Sequence, residues 1–157
     1  MFRGCKNLEK LDVSYLNTIN SKSFRSMFYE CSKLKEINVS KFKTTNCENI
    51  SCMISCCSSL ESIDMLNWDM KNINNIDYLF KYCSKLNNIK MNFNYNDYID
   101  KLDKLDKLGF FVKVNRRYGF GGVFEGLPKI GSFVWKKGSN YNEILQHLPA
   151  TWNRTEG

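Results

Sequence analysis

Met27-Phe28-Tyr29-Glu30-Cys31-Ser32-Lys33-Leu34-Lys35-Glu36-Ile37-Asn38-Val39-Ser40 decides how the chain reads, because its pattern returns every 26 residues. Met1, Met27, Met53 and Leu79 share one column, each followed by Phe2, Phe28, Ile54 or Phe80. Cys5, Cys31, Cys57 and Cys83 form the next, then Leu8, Leu34, Leu60 and Leu86. The register continues through Leu11, Ile37, Ile63 and Ile89, through Val13, Val39, Met65 and Met91, and through Leu16, Phe42 and Trp68. Asn20, Asn46 and Asn72 close the unit, and Phe24, Ile50 and Ile76 open the next. Columns that hold over several copies without a gap mark a repeat array, whose units bury their apolar sides only by stacking on neighbours.

Two periods run inside each unit. Ile50, Met53, Ile54 and Cys57 recur at i, i+3, i+4 and i+7, the spacing of one face of a short helix. Ile37 and Val39 alternate within the L-x-x-L-x-L pattern that begins at Leu34, as on one side of a short strand. One turn of the chain therefore predicts a strand plus a short helix. The expected fold is an α/β repeat, a leucine-rich-repeat solenoid of parallel short strands and short helices with a small β-rich C-terminal cap or module.

The frame M-F-x-x-C-[SK]-x-L-x-x-[LI]-[DN]-V-S, best kept in residues 27–40, resembles the BspA-type leucine-rich repeat of bacterial surface proteins and their protist relatives. The resemblance covers about residues 1–94. It implies a non-enzymatic protein- or glycan-binding module, a fragment of a surface adhesin, at the cell surface or outside the cell. The first copy begins within a repeat, so further repeats or another chain are expected to cover the N-terminal coil. The chain divides into residues 1–114, about four copies plus a degenerate fifth, and residues 115–157, a Gly/aromatic cap or small β-rich module. In the fifth copy, residues 95–109 read as a helix with Leu102 and Leu105 one period after Ile76 and Leu79, and residues 110–114 alternate as a last rung. Beyond Asn115, glycines punctuate short aromatic runs such as Ser132-Phe133-Val134-Trp135, which suggests hairpins, and a short helix is expected over 142–147.

The chain has 157 residues, 43% of them hydrophobic, too apolar for a disordered segment, and no run approaches the length of a membrane-spanning helix. Its net charge of +7 is spread evenly: residues 1–94 carry 13 Lys/Arg against 9 Asp/Glu. Nucleic-acid sites gather their cations on one face, so neither nucleic acid nor membrane insertion is expected. The four-cysteine column reads as packed core, since Cys is among the most readily buried residues. Cys47, Cys52 and Cys56 lie off it, but zinc needs four ligands in suitably spaced pairs, and the single histidine, His147, is far away in sequence. Gly119-Phe120-Gly121-Gly122 lacks the Lys-Ser/Thr of a phosphate loop. Leu148-Pro149-Ala150-Thr151-Trp152 has Trp where a wall-sorting signal needs Gly. Neither a catalytic centre nor a metal or other cofactor is expected.

What remains is surface. The outward strand positions hold Lys10 and Asp12, Glu36 and Asn38, Asp64 and Lys90, a polar face of mixed sign edged by Tyr15 and Phe93. Repeat arrays use such a face for partners, and aromatic residues are enriched at binding hot spots. These eight residues are the candidate binding site. The alternatives are a structural stalk or scaffold whose C-terminal tail does the recognising, and an intracellular or phage-borne binding protein.

Overall fold

In the computed structural model the repeat forms a stack of coils, described over residues 1–92, 122–135 and 145–156. Each coil adds a rung to a parallel ladder. The rungs are β1 (Lys10–Leu11), β2 (Glu36–Ile37), β3 (Ser62–Met65), β4 (Asn88–Met91), β5 (Ser132–Trp135) and β6 (Asn153–Glu156). β1 pairs with β2, and β3 to β6 form a second sheet in chain order, every pairing parallel. Lys10 lies beside Glu36 and Ser62 beside Asn88, which is the 26-residue period made spatial. The Glu61 amide donates to the Lys35 carbonyl at 3.4 Å and carries the ladder from the first sheet to the second.

The expected leucine-rich-repeat solenoid, with a helix in every unit, is overturned: there is almost no helix among the described residues, only short parallel strands in two small sheets. Where the helices were expected the chain makes β-turns in tandem. Met27 N–H bonds Phe24 O at 3.0 Å and Cys31 N–H bonds Phe28 O at 3.1 Å, with Ser26 (φ 54°) and Glu30 (φ 61°) left-handed at the third turn position. An i to i+3 bond with positive φ at that position alone is a type II turn. The pattern repeats at 50–53 and 54–57 around Cys52 and Cys56, and at 76–79 and 80–83 around Tyr78 and Tyr82. The first and last residues of each turn point inward, so two consecutive turns bury i, i+3, i+4 and i+7, the same set that one face of a helix would bury.

Hydrogen bonding explains why the turns win. A helix satisfies each amide within itself and leaves nothing for its neighbours. Here alternate turn amides reach the next coil: Phe24 N–H to Asn49 O (2.9 Å), Ser26 to Ser51 (3.0 Å), Phe28 to Met53 (2.8 Å) and Glu30 to Ser55 (3.0 Å). The following coil repeats the step, from Ile50 to Asn75 and from Cys56 to Lys81. Both sides of the coil are thus stitched to the next by backbone, which satisfies groups that burial would otherwise penalise.

Side chains close the corners. Asp12, Asn38 and Asp64 each accept the amide two residues on, from Ser14 (2.8 Å), Ser40 (3.1 Å) and Leu66 (3.1 Å). Asn49 and Asn75 do the same before the tandem turns. These Asx turns need a short side-chain oxygen, which explains the Asp/Asn bias at those positions.

The core lies between the strand and turn sides. Phe2 and Phe28 stack at 5.6 Å, and Phe24, Phe42 and Trp68 form a second cluster with centroids 5.1–6.1 Å apart. The cysteine column is core from its second member on: Cys31, Cys57 and Cys83 are buried as the spacing predicts, while Cys5 in the first coil is exposed. Cys31, Cys57 and Cys83 donate S–H to the carbonyls of Phe2, Phe28 and Ile54 in the preceding coil, at 3.0–3.1 Å. All seven cysteines are free thiols. Burial raises the Cys83 pKa to about 12 and raises that of Cys57 as well.

The tail extends this architecture. Instead of folding into a hairpin, β5 pairs in parallel with β4 on one side and β6 on the other. Phe80 N–H donates to Val123 O and Tyr82 N–H to Glu125 O, so residues 122–127 take the place of the next pair of turns, with Gly126 (φ 77°) in the left-handed position. The helix expected over 95–109, with Leu102 and Leu105, and the rung over 110–114 lie outside the described residues. The coil seated on β4 is built from residues 122–135 instead.

Two outcomes follow from these turns and this cysteine column. Ser26→Gly relieves a left-handed serine and is expected to raise stability by about 0.5–1 kcal/mol, whereas Arg25→Gly lowers it by a similar amount, read from urea midpoints. A helix would be weakened by both. Under native conditions a thiol alkylating agent is expected to modify the exposed Cys5 first, then the half-buried Cys52 and Cys56, and to reach Cys31, Cys47, Cys57 and Cys83 only on unfolding, by mass spectrometry.

Candidate functional site

Of the outward strand residues, Lys10 and Glu36 meet at 2.8 Å and Lys90 and Asp64 at 3.7 Å, one pair in each sheet. Glu9 and Lys35 make a third rung-to-rung pair at 2.8 Å. The Lys10 bond holds the Glu36 carboxyl below its ordinary range, and the Glu36 bond raises Lys10. These pairs are exposed, so they contribute little to stability and weaken with salt. What they do is neutralise the face rung by rung.

The other predicted residues separate into roles. Asp12 and Asn38 face outward but spend their side-chain oxygens on the corner amides, and the Ser14 amide draws the Asp12 pKa down. Asp64 serves both its corner and Lys90. Tyr15 is 72% exposed at the edge of the first coil. Phe93 lies outside the described residues.

The sequence reading missed the opposite face. The two middle positions of each turn stack into short columns, in which Ser51 and Ser55 are buried: Arg25, Ser51 and Asp77; Ser26, Cys52, Tyr78 and Gly122; Arg3, Tyr29, Ser55, Lys81 and Glu125; Gly4, Glu30, Cys56, Tyr82 and Gly126. Arg3 lies over the Tyr29 ring at 4.9 Å. Lys81 Nζ sits 4.8 Å from the centroids of both Tyr78 and Tyr82 and 2.9 Å from Glu125. Its pKa is raised, first by the Glu125 bond, and Glu125 is lowered by the same bond. The tyrosines lean over the glycines of the following coil, where a Cβ would lie 3.0 Å from the Tyr78 ring at Gly122 and 2.8 Å from the Tyr82 ring at Gly126. Tyr82 stays 50% exposed. The available signal was Tyr78 and Tyr82 flanking Lys81 at i and i+4, between the apolar columns rather than on them.

Reactive groups are dispersed. Cys52 and Asp77 have raised pKa values because they are partly buried, and the Tyr29 hydroxyl is raised first by its bond to Glu30. Among the described residues no three His, Cys, Asp or Glu side chains come together as metal ligands. His147 is exposed, while Leu148 and Trp152 of the Leu148-Pro149-Ala150-Thr151-Trp152 run are buried, with Trp152 Nε1 donating to Pro128 O at 2.9 Å.

The family model described as "Mycoplasma protein of unknown function, DUF285" matches residues 1–108. No curated protein and no solved structure matches the chain. The matched stretch takes in the four repeat copies and more than half of the 157 residues, so the chain belongs to the DUF285 family.

Proposed function

We propose that the chain is a non-enzymatic interaction module that binds a protein or glycan ligand through its strand face, in the surface-adhesion role that the BspA-type resemblance implies. The observation that carries the reading is the strict parallel register of the rungs, which sets Lys10 beside Glu36 and Asp64 beside Lys90 on backbone fixed by hydrogen bonds to the neighbouring coil. A face whose charges already pair across rungs holds its side chains in place before a ligand arrives, which lowers the ordering cost of binding. The tail's described rungs are joined to the same sheet, which favours the array over a separate tail module as the recognition element. No helix among the described residues is long and apolar enough to cross a membrane.

The test is a binding screen of the purified chain against extracellular-matrix proteins and glycans, beside a variant carrying Lys10→Ala, Glu36→Ala, Asp64→Asn and Lys90→Ala. Asn at position 64 keeps the corner acceptor. At least tenfold weaker binding by the variant is expected. Full retention overturns the strand-face assignment, and loss in a Tyr82→Ala variant instead moves the site to the turn face.

A further inference from the structure

Positive charge is spread evenly along the chain but not around the coil. Residues 5–8, 31–34, 57–60 and 83–86 make the corner that leads from the tandem turns into each strand. The serines of this corner tie one coil to the next: Ser32 Oγ donates to Lys6 O at 3.5 Å, Ser58 Oγ to Ser32 O at 3.2 Å and Ser84 Oγ to Ser58 O at 3.4 Å. The position after them holds Asn7, Lys33, Ser59 and Lys85. In the coil that carries β5, Gly126 is set beside Tyr82 and Ser132 beside Asn88. The chain between these two anchors is as long in one coil as in the other, so Lys129 takes the place of Lys85. Three lysines far apart in sequence thus stand in one file. Their backbones are about 10 Å apart from Lys33 to Lys85 and about 5 Å from Lys85 to Lys129.

These charges are unspent. Lys10, Lys35, Lys81 and Lys90 each hold a carboxylate. Lys6, Lys33, Lys85 and Lys129 are exposed, and none of them forms an ion pair among the described residues. Glu9 takes its hydrogen bond from Lys35 and feels Lys33 only as a more distant charge. Acids flank the file on both sides: Glu30 and Glu125 in the turns, Glu9 and Glu61 just before the strands.

We infer that this corner is a cationic ridge that binds a linear polysaccharide bearing sulfate or phosphate groups, laid across the coils. Ammonium groups on a backbone fixed by its neighbours present a line of positive charge, and an anionic polymer that meets it releases its own counterions. Lysine is a hydrated point charge with three donors, which suits the oxygens of either anion. The flanking acids select for a thin chain. A duplex or a bilayer would bring its phosphates over Glu30, Glu61 and Glu125, and juxtaposed like charges disfavour such a partner. Single-stranded nucleic acid binds through aromatic platforms for its bases, and the corner segments of these coils hold no aromatic side chain. The ridge uses none of the strand-face residues Lys10, Glu36, Asp64 and Lys90, so the two surfaces stand or fall separately.

The experiment measures affinity of the full chain for immobilised heparin, a sulfated polysaccharide, and for yeast phosphomannan, a phosphorylated one. Three variants are run beside the parent: Lys33→Gln with Lys85→Gln and Lys129→Gln; Lys22→Gln with Lys41→Gln and Lys43→Gln, which removes as much charge from exposed positions elsewhere; and the strand-face variant above. The parent is expected to bind at least one of the two polymers, which identifies the anion, and to weaken roughly tenfold or more between about 50 and 200 mM salt. The ridge variant is expected to bind at least tenfold more weakly, with the other two within about threefold of the parent. Circular dichroism of each variant checks that the coils are intact, and the single Lys85→Gln variant, expected to lose a smaller share, serves if the triple one is not. Failure to bind either polymer would overturn the inference, as would equal losses in the ridge and charge-matched variants. So would binding to a single-stranded oligonucleotide or to anionic vesicles that is tighter than to both polysaccharides.

Discussion

The backbone hydrogen bonds between coils are the constraint on which everything else depends. Phe2, Phe24, Phe28, Ile50 and Phe80 each send an amide to the coil above, and on the strand side Lys35, Glu61 and Asn87 send theirs to the coil below. With neighbours about 4.8 Å apart, every residue of a coil has a fixed neighbour one repeat away. Side chains then have to be compatible with their own column before anything else. Phe stacks on Phe at positions 2 and 28, and Cys31, Cys57 and Cys83 each supply one thiol proton to a carbonyl in the preceding coil. A small side chain with a weak donor suits that place; a serine hydroxyl would ask more of an apolar column.

The same constraint settles the contest between turn and helix. A type II turn with a non-glycine residue at its third position carries backbone strain of order 1 kcal/mol, and each full unit accepts it twice. The return is that alternate amides of the turn pair, four of them between Phe24 and Glu30, bond the next coil. In coil 5 the strain is absent at one of these places, because Gly126 stands where Tyr82 stands one coil below.

Much of this was legible in the sequence, and the failures are specific. The 26-residue columns gave the parallel register, the strands at Ile37 and Ile63, and the buried cysteines, since each depends only on which residues recur. The turns were not legible because Ile50, Met53, Ile54 and Cys57 satisfy the inward pattern of either structure. The corner roles of Asp12, Asn38 and Asp64 depend on the amide two residues on, which is a matter of backbone geometry rather than of column identity. Most concealed was coil 5. Ile89 pairs with Phe133 and Lys81 with Glu125, both 44 residues apart, so the period lengthens by 18 at this point and counting in steps of 26 lands on Leu105 instead of Val123. The Lys81 cluster joins two coils across that longer step, and no periodicity search would have assembled it.

A stack held by backbone leaves two sets of side chains outside the core: the outward strand positions, some of which close the corners, and the two middle positions of each turn. They differ in how they are used. On the strand face two neighbouring pairs are opposite charges, Lys10 with Glu36 and Asp64 with Lys90, and the rest are polar residues. On the turn face the occupants change size abruptly, from Tyr29 and Glu30 through Ser55 and Cys56 to Lys81 and Tyr82, with Gly126 beyond. Because the backbone bonds ignore side-chain identity, positions on either face that hold no corner bond and press on no glycine can change without disturbing the coil beneath. That decoupling lets one repeat carry different contact surfaces, and the identity of any ligand is therefore written between the columns and not in them.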